Sequence, residues 1–390
     1  MQKTIPLSQL RFADLLHPHD VIAWPKGPAE PLALTEALMA QREELNSPVL
    51  LFGLTQSDTL RPELAAYFRF RALNGAGTSR RVTALAEIIP CHISSIHELM
   101  RTDQLRVDVA LIHVKPLPAG GFSLGVISDF TQPMIGRARV VIALVNPALP
   151  PVGGDACVDS ADIDLLVESD ERIIDMPDST PSEVELDVAR RVVEHIPDRA
   201  TARLGLGTLP AAVAQALGKH RELGVLSGVV SDILVDLVEK GVVTNAHKGI
   251  DAGRTVTGGM FGTQGLRDLA VRTGLINMRS ADDTHNLSVT ACLSQFHTIN
   301  SSIEVDLFGQ VNPAVADGHY LGAVGGLVDF VRAGVGSRGG RSIVAFPFMR
   351  KDLRPSRSAG RRNSPGRSSE PTAMRSISAS KSAPSAQSLY

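Results

Sequence analysis

Apolar and polar positions fall in alternating blocks along the first half of the chain. DVIAWPKGP (20–28) is a short apolar run stopped by Pro25 and Gly27, and PLALTEALMAQREEL after it carries the spacing of an amphipathic helix. PVLLFGL (48–54) predicts a second buried strand, so the chain opens with strand, helix, strand. The succession continues through RVTALAEIIP and a helix at SSIHELMRTDQL. Strands follow at VDVALIHV (107–114), FSLGVISD (122–129) and within RARVVIALVNPALP (137–150). Four or five short, mostly apolar strands separated by helices predict a largely parallel sheet covered on both faces.

DIDLLVESDERIIDMPDSTPSEVELDVARRVVEHI passes from a strand through an Asp-, Pro- and Ser-rich turn into a helix, with Ser182 and Glu185 spaced as a capping pair. A boundary near Pro177 to Pro181 divides the chain into an α/β domain over 1–178, a second over 179–347, and a tail over 348–390. The second half repeats the grammar: ATARLGLG is strand into turn, PAAVAQALGKH helix, ELGVLSG strand, SDILVDLVEKG helix. DDTHNLSVTACLSQFHTINSSIEVDLFGQVN then holds two β-rich runs, before GHYLGAVGGLVDFVRAG and the strand RSIVAFP. The fold class is therefore α/β, two open α/β domains with the ligand site expected in the cleft between them.

Composition narrows the partners. A length of 390 residues suits two cores, and 43% hydrophobic with 21% charged residues is ordinary for a globular protein. A net charge of -2 supplies no field for nucleic acid or a membrane surface. Cys91, Cys157 and Cys292 stand apart without CxxC spacing, which excludes a disulfide framework and a thiolate zinc site. No secretory h-region opens the chain and no apolar run reaches the roughly 20 residues of a membrane span, so the expected location is cytoplasmic. The tail from Phe348 is rich in Ser, Arg and Pro; it reads as a disordered, solvated segment in preference to a basic arm for nucleic acid. His17, His19, His113, His285 and His297 show no ligand spacing, and no metal is expected.

Two glycine clusters carry candidate chemistry. Gly205 and Gly207 before Pro210 put free N–H groups at a helix start, where an anion such as a phosphate is favoured, although an ordinary strand-to-helix turn explains the spacing equally well. Gly322, Gly325 and Gly326 precede a second helix, with tight helix packing as the plainer reading.

Together, RLGLGTLPAAV, SDILVDLVEKGVVTN, INSSIEVDLFGQVN and GAVGGLVDFVRAG, in this order, resemble the acetyl-CoA hydrolase/transferase family, whose members are similar to 4-hydroxybutyrate and acetate CoA-transferases; VDVALIHV, GFSLGV and VIALVNPALPPVGGD agree with its N-terminal half. The resemblance covers residues 20–347 and implies a two-domain protein that takes coenzyme A between its halves, as substrate rather than as a permanently bound cofactor. It implies CoA contacts at Gly205, Leu206, Gly207, Thr208 and Leu209, at Ile303 with Asn300 just upstream, and at Gly326. The implied partners are a short acyl-CoA and a small carboxylic acid, in acetate and acyl-CoA metabolism; a homo-oligomer is compatible with it.

The family's nucleophile is a glutamate that forms an anhydride and then a glutamyl-CoA thioester. The matching segment here is Leu226, Ser227, Gly228, with Ser231 and Asp232 kept after it, so the catalytic position is Gly228, which has no side chain. Glu304, in an apolar strand near the CoA-lining segment, is a substitute acid if burial raises its pKa, against the plainer reading of a hydrogen-bonded polar residue. Asp232 reads as a helix-terminal charge and Ser227 lacks a His partner. Past the IVAFP strand the family's Ser-Thr-Ala step and its Thr-Glu-Tyr-Gly motif have no counterpart, and the abrupt Ser, Arg and Pro composition is what an out-of-frame reading of a GC-rich gene would give. The expectation is an acetyl-CoA hydrolase/CoA-transferase relative acting on short acyl-CoA thioesters, by hydrolysis or another water-based route in preference to ping-pong transfer. The alternative is a CoA-binding paralogue without catalysis.

Overall fold

In the computed structural model, residues 3–168, 171–306, 308–316, 319–320, 324–347 and 377–378 are described. The apolar runs of the first half become one sheet whose main path is parallel throughout. Its strands lie in the order Lys3–Pro6, Leu165–Glu168, Val140–Val145, Val109–Pro116, Val21–Ala23, Val49–Phe52, Arg69–Ala72 and Ala86–Ile88. Because successive residues face opposite ways, each run feeds two cores. Ile22, Leu50, Leu111 and Ile142 pack on one face with Trp24 and Phe52, and Val21, Leu51, Ala110, Ile112 and Ala143 pack on the other.

FSLGVISD departs from the expected strand. Only Phe122–Ser123 forms a strand, antiparallel to Lys115 and Pro116 on one side and to Cys157–Val158 on the other. Gly125 then turns at φ +69°, where a Cβ would also sit 2.8 Å from the Leu149 side chain, and the segment turns away to meet the second half. The helix over 183–193 begins at Ser182 with the capping pair closed in both directions: Ser182 Oγ accepts from Glu185 N, and Glu185 accepts from Ser182 N at 2.8 Å.

The second sheet runs Ile276–Met278, Thr255–Thr257, Gly224–Ser227, Thr201–Arg203, Phe296–Ser301 and Arg341–Ala345, again parallel. Of the two β-rich runs expected before Gly318, the first is helical: Ala281–Thr284 and Leu287–Thr290 are short helices, the latter started by Asn286, whose side chain accepts from Ser288 N at 2.8 Å. Leu226, Val256, Phe296, Phe330 and Ala333 form a core under the helix Leu327–Gly336. Val225, Leu204, Val230 and Met260 join the same core as Ala110 and Ile112, so the halves share apolar interior.

Backbone bonds stitch the halves together. Ser128 N and Asp129 N donate to Gly258 O, Met260 N to Val126 O, and Ala281 N to Asp129 O. On the other flank, Ile93 N donates to Gly325 O, while Ser94 N and Oγ reach Asp329 at 3.2 and 2.7 Å. No helix among the described residues is long and apolar enough to cross a membrane. The proposed tail lies outside the described residues apart from 377–378.

Candidate active site

Parallel sheets present their ligand-binding loops at the carboxyl ends of their strands. Here both sheets turn those ends toward one cleft of about 180 Å³. Lys26, Leu54 and Asn74 reach it from beyond the first sheet's strands. Arg203, Leu206, Gly228 and Val229 come from the second, with Ile93, Phe261, His285 and Gly326 closing it. A larger cavity of about 460 Å³ beside Gly154, Arg254 and Gly274 holds none of the sequence candidates, and the Arg254 guanidinium there is bonded to the Gly274 carbonyl. The smaller cleft is the chemically furnished one.

Lys26 sits on a turn made possible by Gly27, at φ +60°, where a Cβ would strike Phe261 of the second domain at 2.4 Å. Its ammonium lies 2.5 Å from Asp129 Oδ2, a carboxylate whose side chain is only 2% exposed. Phe130 and Phe261 flank it, with ring centroids 5.6 and 6.0 Å from Nζ.

Gly228 lacks a side chain for a visible steric reason. A Cβ there would lie 2.6 Å from His285 Cε1 and 2.9 Å from Nε2; one on Gly326 would lie 2.8 Å from both Cδ2 and Nε2. The imidazole thus fills the space above two glycines, tilted against Phe330 with ring centroids 4.8 Å apart. The Thr284 hydroxyl donates to Ser280 O at 3.1 Å, which leaves an oxygen lone pair for His285 Nδ1 at 2.9 Å. With the hydroxyl donating to Ser280 O, the ring carries its proton on Nδ1 and its lone pair on Nε2; a hydroxyl turned toward Nδ1 reverses the two. Burial first, then the charges of Lys26 and Arg203, push the His285 pKa well below its ordinary 6.5, so the ring is neutral at pH 7. On its far side His285 lines a second cavity of about 250 Å³ with Ser94, Asp282, Asp329 and Arg332.

Arg203 is the cleft's other cation. Its Nη1 donates to Ile299 O at 2.8 Å and to Asn300 Oδ1 at 3.3 Å, and its guanidinium lies 4.6 Å from the Phe330 ring centre. Nε is buried with no hydrogen-bond partner, and among the described residues no carboxylate pairs with Arg203. Burial lowers its pKa to about 10, which leaves it fully charged at neutral pH.

The sequence candidates are only partly assembled. Gly228, Leu206 and Gly326 line the cleft; Leu209 is buried in the helix Thr208–Ala216, and Gly207, at φ +113°, precedes it. Gly205 makes room for Arg203, since a Cβ there would sit 3.0 Å from Nη1. The Thr208 hydroxyl is taken by Glu185. Ile303, 39% exposed, and Glu304 stand apart on an outer hairpin. Glu304 is exposed and accepts from Asn312 Nδ2 at 2.7 Å; the burial that would fit it for general-base work is missing, because the strand expected there is a two-residue hairpin edge that no second layer covers among the described residues. Ser227 donates to Leu204 O, and Asp232 accepts from Thr263 N at 2.9 Å, so both are structural.

Lys26, Asn74, Arg203 and His285 had no signature of their own in the sequence. Arg203 adjoins the glycine string and was there to be noticed; His285 reaches the cleft only through the tertiary fold. Among the described residues no group of three His, Cys, Asp or Glu could hold a metal ion.

The comparisons agree with this architecture. Residues 7–177 match the acetyl-CoA hydrolase/transferase N-terminal domain, and residues 262–361 the C-terminal domain of the same family, a match that continues past Pro347. The chain is 31% identical to 4-hydroxybutyrate coenzyme A transferase of Clostridium kluyveri over 84% of its own length and 78% of that protein's. Among solved structures, RipA from Yersinia pestis superposes with a TM-score of 0.82 at 26% identity, covering 88% of this chain and 82% of that one. 4-Hydroxybutyrate CoA-transferase from Porphyromonas gingivalis gives 0.77 at 28% identity, covering 90% and 82%. With both domains matched and 31% identity to a curated relative over 84% of its length, the chain belongs to the acetyl-CoA hydrolase/transferase family.

Proposed function

We propose that the protein hydrolyses short acyl-CoA thioesters, with His285 as the general base. The observation that carries this is the imidazole packed over Gly228 and Gly326, its Nε2 beside the position where the family resemblance calls for a glutamate. Among the described residues lining the cleft there is no Asp or Glu, so an anhydride with the protein has no carboxylate there to form on. Water is the remaining nucleophile. Nε2 takes a proton from water as the oxygen attacks the thioester carbonyl; the C–S bond breaks, and the proton passes from the imidazolium to the departing thiolate, giving free CoA and a carboxylic acid. The Lys26 ammonium supplies positive charge for the oxyanion. CoA is held along Gly205–Leu209 and at Gly326, of which Leu206 and Gly326 line the cleft.

Incubation with acetyl-CoA or butyryl-CoA, followed by thiol release and intact mass, tests the reading. Release without a covalent adduct, lost in His285→Gln while CoA binding persists, is the expected result. A CoA adduct on the protein would overturn it. CoA binding with neither release nor adduct would leave the non-catalytic CoA-binding paralogue.

A further inference from the structure

We infer that the linker between the halves is a strap that sets the cleft. Glu171 and Asp178 are its positioning residues: each caps, from outside, the helix that follows a cleft turn, and so fixes Lys26 on one side and Gly228 on the other. The effect on turnover rests on the hydrolase reading; the strap stands on its own geometry.

A helix start leaves N–H groups without intrahelical partners, and a side chain at the N-cap position ordinarily takes one of them. The helices that follow the two cleft turns both lack that local device. Leu32–Ala40 begins after Pro31, whose ring offers no acceptor, and Ile233–Glu239 begins after Asp232, whose carboxylate is turned to Thr263 N instead. Residues 171–178 supply both caps. Glu171 accepts from Leu32 N at 3.1 Å and from Ala33 N at 2.6 Å, and Asp178 accepts from Ile233 N at 2.8 Å. Carboxylates suit the task, because the N-terminal end of a helix carries partial positive charge.

The segment is fastened between these two points. Asn146 Nδ2 donates to Glu171 O at 2.7 Å on the first half. On the second, Arg267 Nη2 donates to Asp175 Oδ1 at 2.7 Å and Met176 N to Gly262 O at 3.2 Å. Ile173 between them is buried in the core that the halves share.

Each cap is joined to the cleft by hydrogen-bonded backbone. From Lys26 onward, Ala29 N donates to Lys26 O at 3.4 Å and Glu30 N to Gly27 O at 3.3 Å, while the buried Glu30 carboxylate holds Ser57 Oγ at 2.9 Å and Thr35 Oγ1 at 3.1 Å. From Gly228 onward, Val230 N donates to Gly259 O at 2.9 Å and Leu234 N to Ser231 O at 3.0 Å. Gly262, which holds Met176, follows Phe261, the ring that flanks Lys26 and closes against Gly27. A shift of either helix start is therefore a shift of a cleft residue, and displacement on the order of 1 Å at a group facing the reaction is enough to cost turnover.

Amide hydrogen exchange, read by mass spectrometry over residues 26–33 and 228–233 of the full-length protein, tests the strap. The forms are wild type, Glu171→Ala, Asp178→Ala, and the conservative Glu171→Gln and Asp178→Asn, each of which keeps one acceptor oxygen. Thermal unfolding shows that each is folded, and kcat and KM for thiol release from acetyl-CoA are measured alongside. Glu171→Ala is expected to speed exchange about fivefold at Leu32 and Ala33, the weight of one N-cap, and to speed it also at Lys26, Gly27 and Ala29, with 228–233 unchanged. Asp178→Ala does the converse. In both, kcat falls at least fivefold while KM stays within twofold, and the amide variants recover part of the loss. Faster exchange confined to the helix starts, with the cleft turns and kcat as in the wild type, would overturn the inference. The two readings fail separately: exchange that spreads to the cleft turns with no thiol release from any form keeps the strap and removes the hydrolase, and thiol release with the cleft turns unmoved in both Ala variants does the reverse.

Discussion

At the scale of single residues, the decisive contact is between a side chain and the absence of one. A methyl group on Gly228 would enter the His285 ring at 2.6 Å, so Gly228→Ala is expected to destabilise the fold by about 1–3 kcal/mol, the usual range for overpacking a filled site, as read from denaturant unfolding. Gly228→Glu then gains no CoA adduct by itself. The double variant Gly228→Glu, His285→Gly frees the volume and is the form in which mass spectrometry should detect a covalent CoA thioester; an adduct in the single variant would show that the ring moves aside freely. On the proposed mechanism, neutral His285 also sets the pH profile. Its pKa lies well below 6.5, so thiol release should be level through neutrality, and its acid limb should appear only well below pH 6.5. A limb centred at 6.5 or above would exclude this imidazole as the base.

Lys248 makes a separate residue-scale prediction. It is 1% exposed, donates to Val225 O and Arg254 O, and burial lowers its pKa from 10.5 to about 8. The folded state holds the proton less tightly than the unfolded chain. Between pH 8 and 10.5 the unfolded state therefore binds more protons, and stability contributed at this site rises with pH across that window, with no change below it. Unfolding of the wild type against Lys248→Met over pH 7 to 10 should show the difference between them shifting toward the wild type as pH rises.

Among the elements, what was legible in the sequence depended on length and apolarity. VDVALIHV and VIALV could be read because a buried parallel strand is apolar on both faces, as Ala110 against Leu111 illustrates. Thr255–Thr257 was not, since its two threonines are buried polar residues and three residues give no period. The Ser182 and Glu185 pair was visible because a capping box is a local device. Its wider role was not: Glu185 also receives Thr208 Oγ1 and so ties the helix start at 183 to the one at 208. Ser182→Ala should cost about 1 kcal/mol in thermal unfolding. Glu185→Ala should cost more because it frees two helix starts. The glycine string at 205–209 reads for ligand approach, and Gly205 also leaves space for Arg203, a tertiary contact no local pattern announces. Glu304 stays with its plainer reading, a polar residue bonded to Asn312, because alternation along a chain cannot say whether a second layer exists to bury the strand.

For the whole molecule, the cleft exists because loops from both sheets meet around Asp129. Its backbone bonds to Gly258 and Ala281 of the second half while its side chain holds Lys26. Lys26→Met leaves a buried carboxylate unpaired and should destabilise the assembled halves by roughly 3–5 kcal/mol, whereas the double variant Lys26→Met, Asp129→Asn should recover much of that loss in unfolding midpoint. Equal loss in both variants would mean that packing, and not charge, sets the contribution of the pair.

The arrangement of Gly228, His285 and Gly326 has an evolutionary corollary. Three positions far apart in the chain occupy one volume, and each is tolerable only while the other two stay as they are. A side chain placed on either glycine alone meets the ring, and removing the ring alone opens a hole over two bare backbones. Neither single step is neutral, so the three positions are expected to change together or not at all.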